Sequence, residues 1–199
     1  MPVLEVLART RRPLTGRQIH QLAGVGSESG VRKVLARLAA QGLVHVSEAG
    51  QAQLYLANRE HLAWPAVDIL CSLKATLLDR LRDQIRSWPT PPQAAALFGS
   101  AARGDGGTAS DVDVLLVRPD TVNEADEAWG RQVEVLRDRV KAWTGNHCQI
   151  YEVDGTGLAE HAEQGEPIVA EWRRDALSLF GEDLRRVLGA VAPPRRKGT

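Results

Sequence analysis

Two aspartates, Asp111 and Asp113, stand one residue apart in the run Ser110-Asp111-Val112-Asp113-Val114-Leu115-Leu116-Val117. Successive side chains of a strand alternate between its faces, so both carboxylates point to one side while Val112 and Val114 point into a core. A pair of hard oxygen donors placed in this way can bind Mg²⁺. Upstream, Ala94-Ala95-Ala96-Leu97-Phe98 reads as a buried strand that runs into Gly99-Ser100-Ala101-Ala102-Arg103-Gly104. Gly99 lets a phosphate approach the backbone closely, and Ser100 opens a short helix whose free N–H groups favour an anion. Arg103 either adds positive charge against such phosphates or forms a surface salt bridge. Alone, a Gly-Ser pair marks only a tight strand-to-helix turn; the acids that follow give it chemical meaning.

A strand, a Gly-Ser turn into a short helix and a second strand opening on Asp-x-Asp together resemble the nucleotidyltransferase superfamily that includes polymerase beta. The resemblance takes in residues 93–199, including Pro167-Ile168-Val169 and Leu179-Phe180-Gly181, which are similar to the closing segment of its minimal members. It implies that Gly99, Ser100 and Arg103 hold a nucleoside triphosphate and that Asp111 and Asp113 are the metal ligands and catalytic acids. One or two Mg²⁺ ions would neutralise the triphosphate and help align an acceptor oxygen for in-line attack on the α-phosphate, with pyrophosphate leaving. The acceptor would be a protein or RNA, as in toxin–antitoxin members. The family places a third carboxylate on a later strand. Here that strand is His147-Cys148-Gln149-Ile150-Tyr151-Glu152-Val153, and the matching position is Gln149. A neutral amide cannot act as a general base and is a poor metal ligand beside a carboxylate. Glu152 shares the parity of Cys148 and Ile150 and should face away from Gln149, whereas Asp154 lies just beyond and could substitute from the loop. The expectation is a site that binds nucleotide and turns it over poorly.

The elements ahead of this region have a different character. Val3 to Ala8 reads as a short apolar helix; Leu14 to Ala23, with Thr15 as N-cap, as a second; and a third, capped by Ser27 or Ser29, carries the apolar face Val31, Val34, Leu35, Leu38 and Ala39. Gly24-Val25-Gly26 makes the turn between the last two, which is the helix-turn-helix signal. Leu43 to Val46 and Gln53 to Ala57 read as a hairpin around Ser47-Glu48-Ala49-Gly50. This order resembles the winged-helix transcriptional regulators of bacteria. It implies that the third helix enters the major groove of DNA, making Ser27, Ser29, Arg32, Lys33 and Arg37 the candidate contacts, with Gln51 near the wing tip. Residues 1–60 hold eight basic side chains against four acidic ones in a chain of zero net charge, so the basic end is the one suited to a polyanion.

Between the two regions Val67, Leu70, Leu73, Leu77, Leu81, Ile85 and Trp88 recur at helical spacing until Pro89, Pro91 and Pro92 end the run. The stripe packs on either domain or pairs with the same helix of a second chain as a homodimer. The fold expected is thus α+β: a winged helix over residues 1–62, a linking helix over 63–92, and a small α/β nucleotidyltransferase-like domain with a mixed sheet over 93–199. No apolar run is long enough to span a membrane and no secretory signal opens the chain, so a cytoplasmic location is expected. Cys71 and Cys148 lack metal-binding or disulfide spacing and are read as reduced and buried. His147 and His161 have no ligand-like partners in sequence, Trp143, Trp172 and Phe180 read as packing, and Arg195-Arg196-Lys197 as a frayed tail. Three functions fit: a DNA-binding regulator whose second domain binds Mg²⁺ and a nucleoside triphosphate, an active transferase, or a non-catalytic interaction protein.

Overall fold

The computed structural model of the chain describes residues 2–107 and 110–190; Arg195, Arg196 and Lys197 lie outside them. The chain divides into two compact units, Met1–Leu73 and Lys74–Thr199.

The first unit runs α1 (Pro2–Arg9), β1 (Leu14–Thr15), α2 (Gly16–Ala23), α3 (Glu28–Ala40), β2 (Val44–Ala49) and β3 (Ala52–Ala57), and closes with the start of α4 (Trp64–Arg86). Thr15 caps α2 through a reciprocal capping box with Gln18. Ser27, rather than Ser29, caps α3, its hydroxyl accepting from the Gly30 N–H at 3.1 Å. Leu7, Ile19, Leu35, Tyr55 and Trp64 fill the core beneath the antiparallel sheet β1-β3-β2. Leu14 and Thr15, expected as the start of a helix, instead pair with Tyr55 and Leu54; a two-residue strand is too short to leave a periodic trace. The hairpin is also longer than expected. Ser47, Glu48 and Ala49 pair with Leu54, Gln53 and Ala52, which leaves only residues 50–51 for the turn, because Gly50 supplies the positive φ a two-residue connection needs.

The second unit takes the rest of α4, then β4 (Ala94–Phe98), α5 (Gly99–Arg103), β5 (Val112–Arg118), α6 (Glu127–Thr144), β6 (Cys148–Asp154), α7 (Gly155–Gln164), α8 (Pro167–Asp175), β7 (Leu177–Gly181) and α9 (Leu184–Ala190). Its four strands form one mixed sheet in the order β6-β5-β4-β7, with β5 and β6 parallel and the other neighbours antiparallel. Parallel neighbours need a crossover, and α6 provides it, burying Trp129, Val133, Leu136 and Val140 at helical spacing. One sheet face, carrying Val112, Val114, Leu116, Cys148 and Ile150, packs on α6 and on Leu81, Ile85 and Trp88. The other, carrying Phe98, Leu115, Val117 and Val153, packs on α7, α8 and α9 through Leu158, Trp172, Leu184 and Leu188.

The long helix expected between the domains is α4. Its ends serve different cores, Trp64 and Val67 in the first and Leu81 and Ile85 in the second. Leu70 and Leu73 between them are 50% and 55% exposed. Both cysteines are free; Cys148 is buried as expected and burial pushes its thiol up to about 12, whereas Cys71 is only partly buried. Among the described residues, no helix is long and apolar enough to cross a membrane.

Gly181 ends β7 at φ +70°, and a Cβ there would lie 2.9 Å from the Gln93 carbonyl carbon and 3.1 Å from the Ala94 Cα. Neither backbone neighbour can yield without breaking the β4–β7 pairing. Gly181→Ala should therefore cost more than the roughly 1–3 kcal/mol of a left-handed alanine alone, read as a lower melting temperature in thermal unfolding.

Candidate active site

Asp113 sits in the middle of the sheet with Phe98 opposite it on antiparallel β4 and Gln149 beside it on parallel β6. Registered partners share a face, so Asp113 and Gln149 both lie on the side covered by α7 and α8. β4 ends at Phe98, and the chain must turn at once into α5. Gly99 makes that turn at φ +67°, buried, with the Asp113 carboxylate packed into the space a side chain would fill; a Cβ at Gly99 would lie 3.2 Å from the Asp113 Cγ and collide with Oδ2. The turn and the acid are built as one unit. Helix α5 is a single turn of five residues, so little macrodipole accumulates along it. Ser100, half-buried, anchors the loop that follows, its carbonyl accepting from the N–H groups of Gly104 at 2.8 Å and Asp105 at 3.2 Å.

Asp111 is exposed and lies one residue ahead of β5 rather than within it. Its approach is fixed by neighbours. Asn146 donates to the Ser110 carbonyl at 2.6 Å, and the Val112 N–H donates to the His147 carbonyl at 2.8 Å. The Asp113 carboxyl is held above its ordinary range, first by burial and then by the negative charges of Asp111 and Glu171, with Arg103 acting in the opposite sense. A carboxylate held up in this way by neighbouring acids is an oxygen donor that a hard divalent cation relieves. Among the described residues no group of three or more His, Cys, Asp or Glu side chains is gathered to hold a metal. Asp111 and Asp113 could supply one or two carboxylate ligands to a hard divalent cation, whose remaining ligands would be substrate phosphates and water.

Glu152 and Asp154, the acids nearest Gln149 in sequence, have other partners. Glu152 points to the α6 face, as its parity requires, and accepts from Trp129 Nε1 at 2.9 Å and Arg118 Nε at 3.0 Å. Asp154 caps α7, accepting from the Gly157 N–H at 2.7 Å. Sequence reasoning did not single out Glu171. Helix α8 carries it toward Asp113, and the available signal was Pro167 at the first helical position followed by a periodic apolar pair, Val169 and Trp172.

In the first unit Arg32, Lys33 and Arg37 are exposed along α3, and Gln51 is exposed at the hairpin tip. Arg32 is paired with Glu28 one turn earlier at 2.7 Å, and this holds the Glu28 carboxyl below its ordinary range. Ser27 is engaged as the cap, with its hydroxyl 3.1 Å from that of Ser29.

Arg103 donates to Asp105 at 3.0 Å and to Asp175 at 2.6 Å, so its guanidinium is held in an ion pair. Asp175, at the end of α8, is buried and also accepts from Arg174 at 2.8 and 2.9 Å. The hydrogen-bonded Arg174, followed by Arg103, holds its carboxyl down at about 2 against the opposing effect of burial. The folded-state value lies below the unfolded one, near 4, so the stabilisation is complete above that range and is lost as pH falls through about 2. Asp175→Asn should lower the melting temperature by roughly 3–8 °C at neutral pH, and the gap between variant and parent should close as thermal unfolding is repeated down to that acid limit.

The sequence matches a family model described as a nucleotidyltransferase domain over residues 78–181, more than half of the chain. No curated protein matches it significantly. Among solved structures, the crystal structure of a toxin–antitoxin with AMP-PNP is similar at 19% identity and a TM-score of 0.36, covering 59% of this chain and 81% of that one. A mutant of the toxin–antitoxin MntA-HpeT is similar at 16% identity and a TM-score of 0.36, with the same coverage. The match over residues 78–181 takes in the end of α4 and every strand of the mixed sheet, and the chain belongs to the nucleotidyltransferase domain family.

Proposed function

We propose that the second unit binds a nucleoside triphosphate together with Mg²⁺ and transfers its nucleotide to a hydroxyl acceptor on a protein or RNA. The observation that carries this reading is the packing of the Asp113 carboxylate against Gly99, which joins the Gly-Ser turn and the acid pair in one place. When bound, Mg²⁺ neutralises charge on the triphosphate. The Gly99–Ser100 turn would face the phosphates, Ser100 holds the start of the loop that follows, and Asp111 and Asp113 would hold the Mg²⁺ and through it the phosphates. Arg103 contributes positive charge while bonded to Asp105 and Asp175. Asp111→Asn combined with Asp113→Asn should abolish Mg²⁺-dependent binding of nucleoside triphosphate in calorimetry while circular dichroism stays that of the parent. Binding of parental strength by the double variant would overturn the assignment.

The first unit supports a second activity on the same chain, and we propose that it is a winged helix, residues 1–62, that places α3 on DNA and makes the protein a transcriptional regulator. The supporting observation is the exposed row Arg32, Lys33 and Arg37 on the helix following the Gly24–Gly26 turn. The Arg32–Glu28 pair is solvent-exposed and of the kind that contributes little to stability, so a DNA phosphate can displace it. Replacing Arg32 and Lys33 together by alanine should weaken binding to DNA upstream of the protein's own coding sequence and flatten its salt dependence, by about one unit of log–log slope for each phosphate that is no longer neutralised. An unchanged salt titration would remove α3 as the reading helix.

A further inference from the structure

On the sheet face that holds Asp113 and Gln149, the next β6 side chain along is Tyr151, one same-face step of roughly 7 Å from Gln149. Its hydroxyl lies 3.3 Å from His161 Nε2, and His161 Nδ1 lies 2.8 Å from Glu166 Oε1. A carboxylate only accepts, so Nδ1 carries the hydrogen and Nε2 is left as the acceptor for the Tyr151 O–H. The order is that of a hydroxyl, a base and a group that orients the base. One buried residue joins this array to the site. Trp172 packs edge-on against Phe98, the cross-strand partner of Asp113, at 6.3 Å between ring centroids, and against Tyr151 at 5.1 Å and His161 at 6.2 Å. Trp172 is fully buried, and its indole N–H has no partner among the described residues.

Resting on the nucleotidyltransferase reading above, we infer that Tyr151, His161 and Glu166 form the proton relay that takes the place of the carboxylate missing at Gln149. The acceptor oxygen forms its bond to the α-phosphorus as the bond from that phosphorus to the bridging oxygen breaks, the electron pair leaving with pyrophosphate. The acceptor's proton passes to the Tyr151 oxygen while the Tyr151 proton passes to His161 Nε2, and Glu166 stabilises the resulting imidazolium. Tyr151 is the catalytic residue here; His161 and Glu166 act through it. Burial and the charge of Glu166 hold the Tyr151 phenol above its ordinary range.

Water can serve as the acceptor, so the relay is testable before any biological acceptor is known. The full chain would be incubated with ATP and Mg²⁺, pyrophosphate release measured across pH, and ATP binding measured in parallel by calorimetry, for the parent, Tyr151→Phe and His161→Gln. Phenylalanine keeps the packing on Trp172, and glutamine can still donate to Glu166 but cannot take up a proton. The expected result is a fall in kcat of about 10²- to 10⁴-fold in both variants, with KM and binding unchanged. Unchanged kcat in both variants, or a fall matched by weaker binding, overturns the relay. So does a parent that binds ATP yet yields no pyrophosphate with water, cell RNA or cell protein as acceptor, an outcome that leaves nucleotide binding standing. A parent that binds no nucleoside triphosphate overturns the nucleotidyltransferase reading and the relay with it.

Discussion

The contact between the Asp113 carboxylate and the bare backbone of Gly99 is the constraint around which the second unit is arranged. It needs β4 and β5 to be antiparallel neighbours in the register that sets Phe98 against Asp113, and it needs the chain to leave β4 immediately after Phe98. A glycine at positive φ is the residue that can do both, because it has no side chain to displace and no steric penalty in the left-handed region. Burial beside other acids is unfavourable for Asp113, whose carboxyl is held above its ordinary range. Surrounding structure carries that cost: the Arg103–Asp175 pair ties α5 to α8, and Asn146 holds the carbonyl of Ser110 so that Asp111 enters the strand from a fixed position.

Strand parity then divides the labour of the sheet. On β6 the residues Cys148, Ile150 and Glu152 face α6, and Glu152 is fully used there by Trp129 and Arg118. Gln149, Tyr151 and Val153 face α7 and α8. A carboxylate on the wrong parity cannot reach Asp113 without a bulge, and the β5–β6 register runs unbroken from Val112–Cys148 to Arg118–Asp154. The chemistry open to this strand is therefore that of Gln149 and Tyr151, together with what α7 and α8 lay across them.

Much of this was legible in the chain itself. Apolar runs located β4, β5 and β6, the Gly-Ser turn and Asp-x-Asp pattern marked the candidate site, and alternation alone placed Glu152 on the face away from Gln149. What was not legible depended on partners distant in sequence. Leu14 and Thr15 carry no strand signal of their own and are strand only because Tyr55 and Leu54 lie opposite. The apolar stripe from Val67 to Trp88 is one helix pattern, yet its members belong to two cores, a division set by tertiary packing and invisible to periodicity. His161 read as ordinary because its partners, Tyr151 and Glu166, come from a strand and from the residue capping another helix. Arg103 could be read either way, and its ion-pair partner Asp175 lies 72 residues on, out of reach of any local pattern.

That last pairing bears on how a triphosphate would be held. A triphosphate brings several negative charges to a site where the charges of Asp111 and Glu171 already act against that of Asp113. An arginine free to reach the phosphates could offset them, but Arg103 has two carboxylates to satisfy and Arg174 shares one of them. Drawing Arg103 away would leave a buried Asp175 with half of its compensation, and an uncompensated buried charge is strongly unfavourable. The side chains around Asp113 thus add more negative charge than they cancel. On the proposed reading the balance has to come from cations carried in with the nucleotide, so that metal and triphosphate bind as one unit and neither binds well alone.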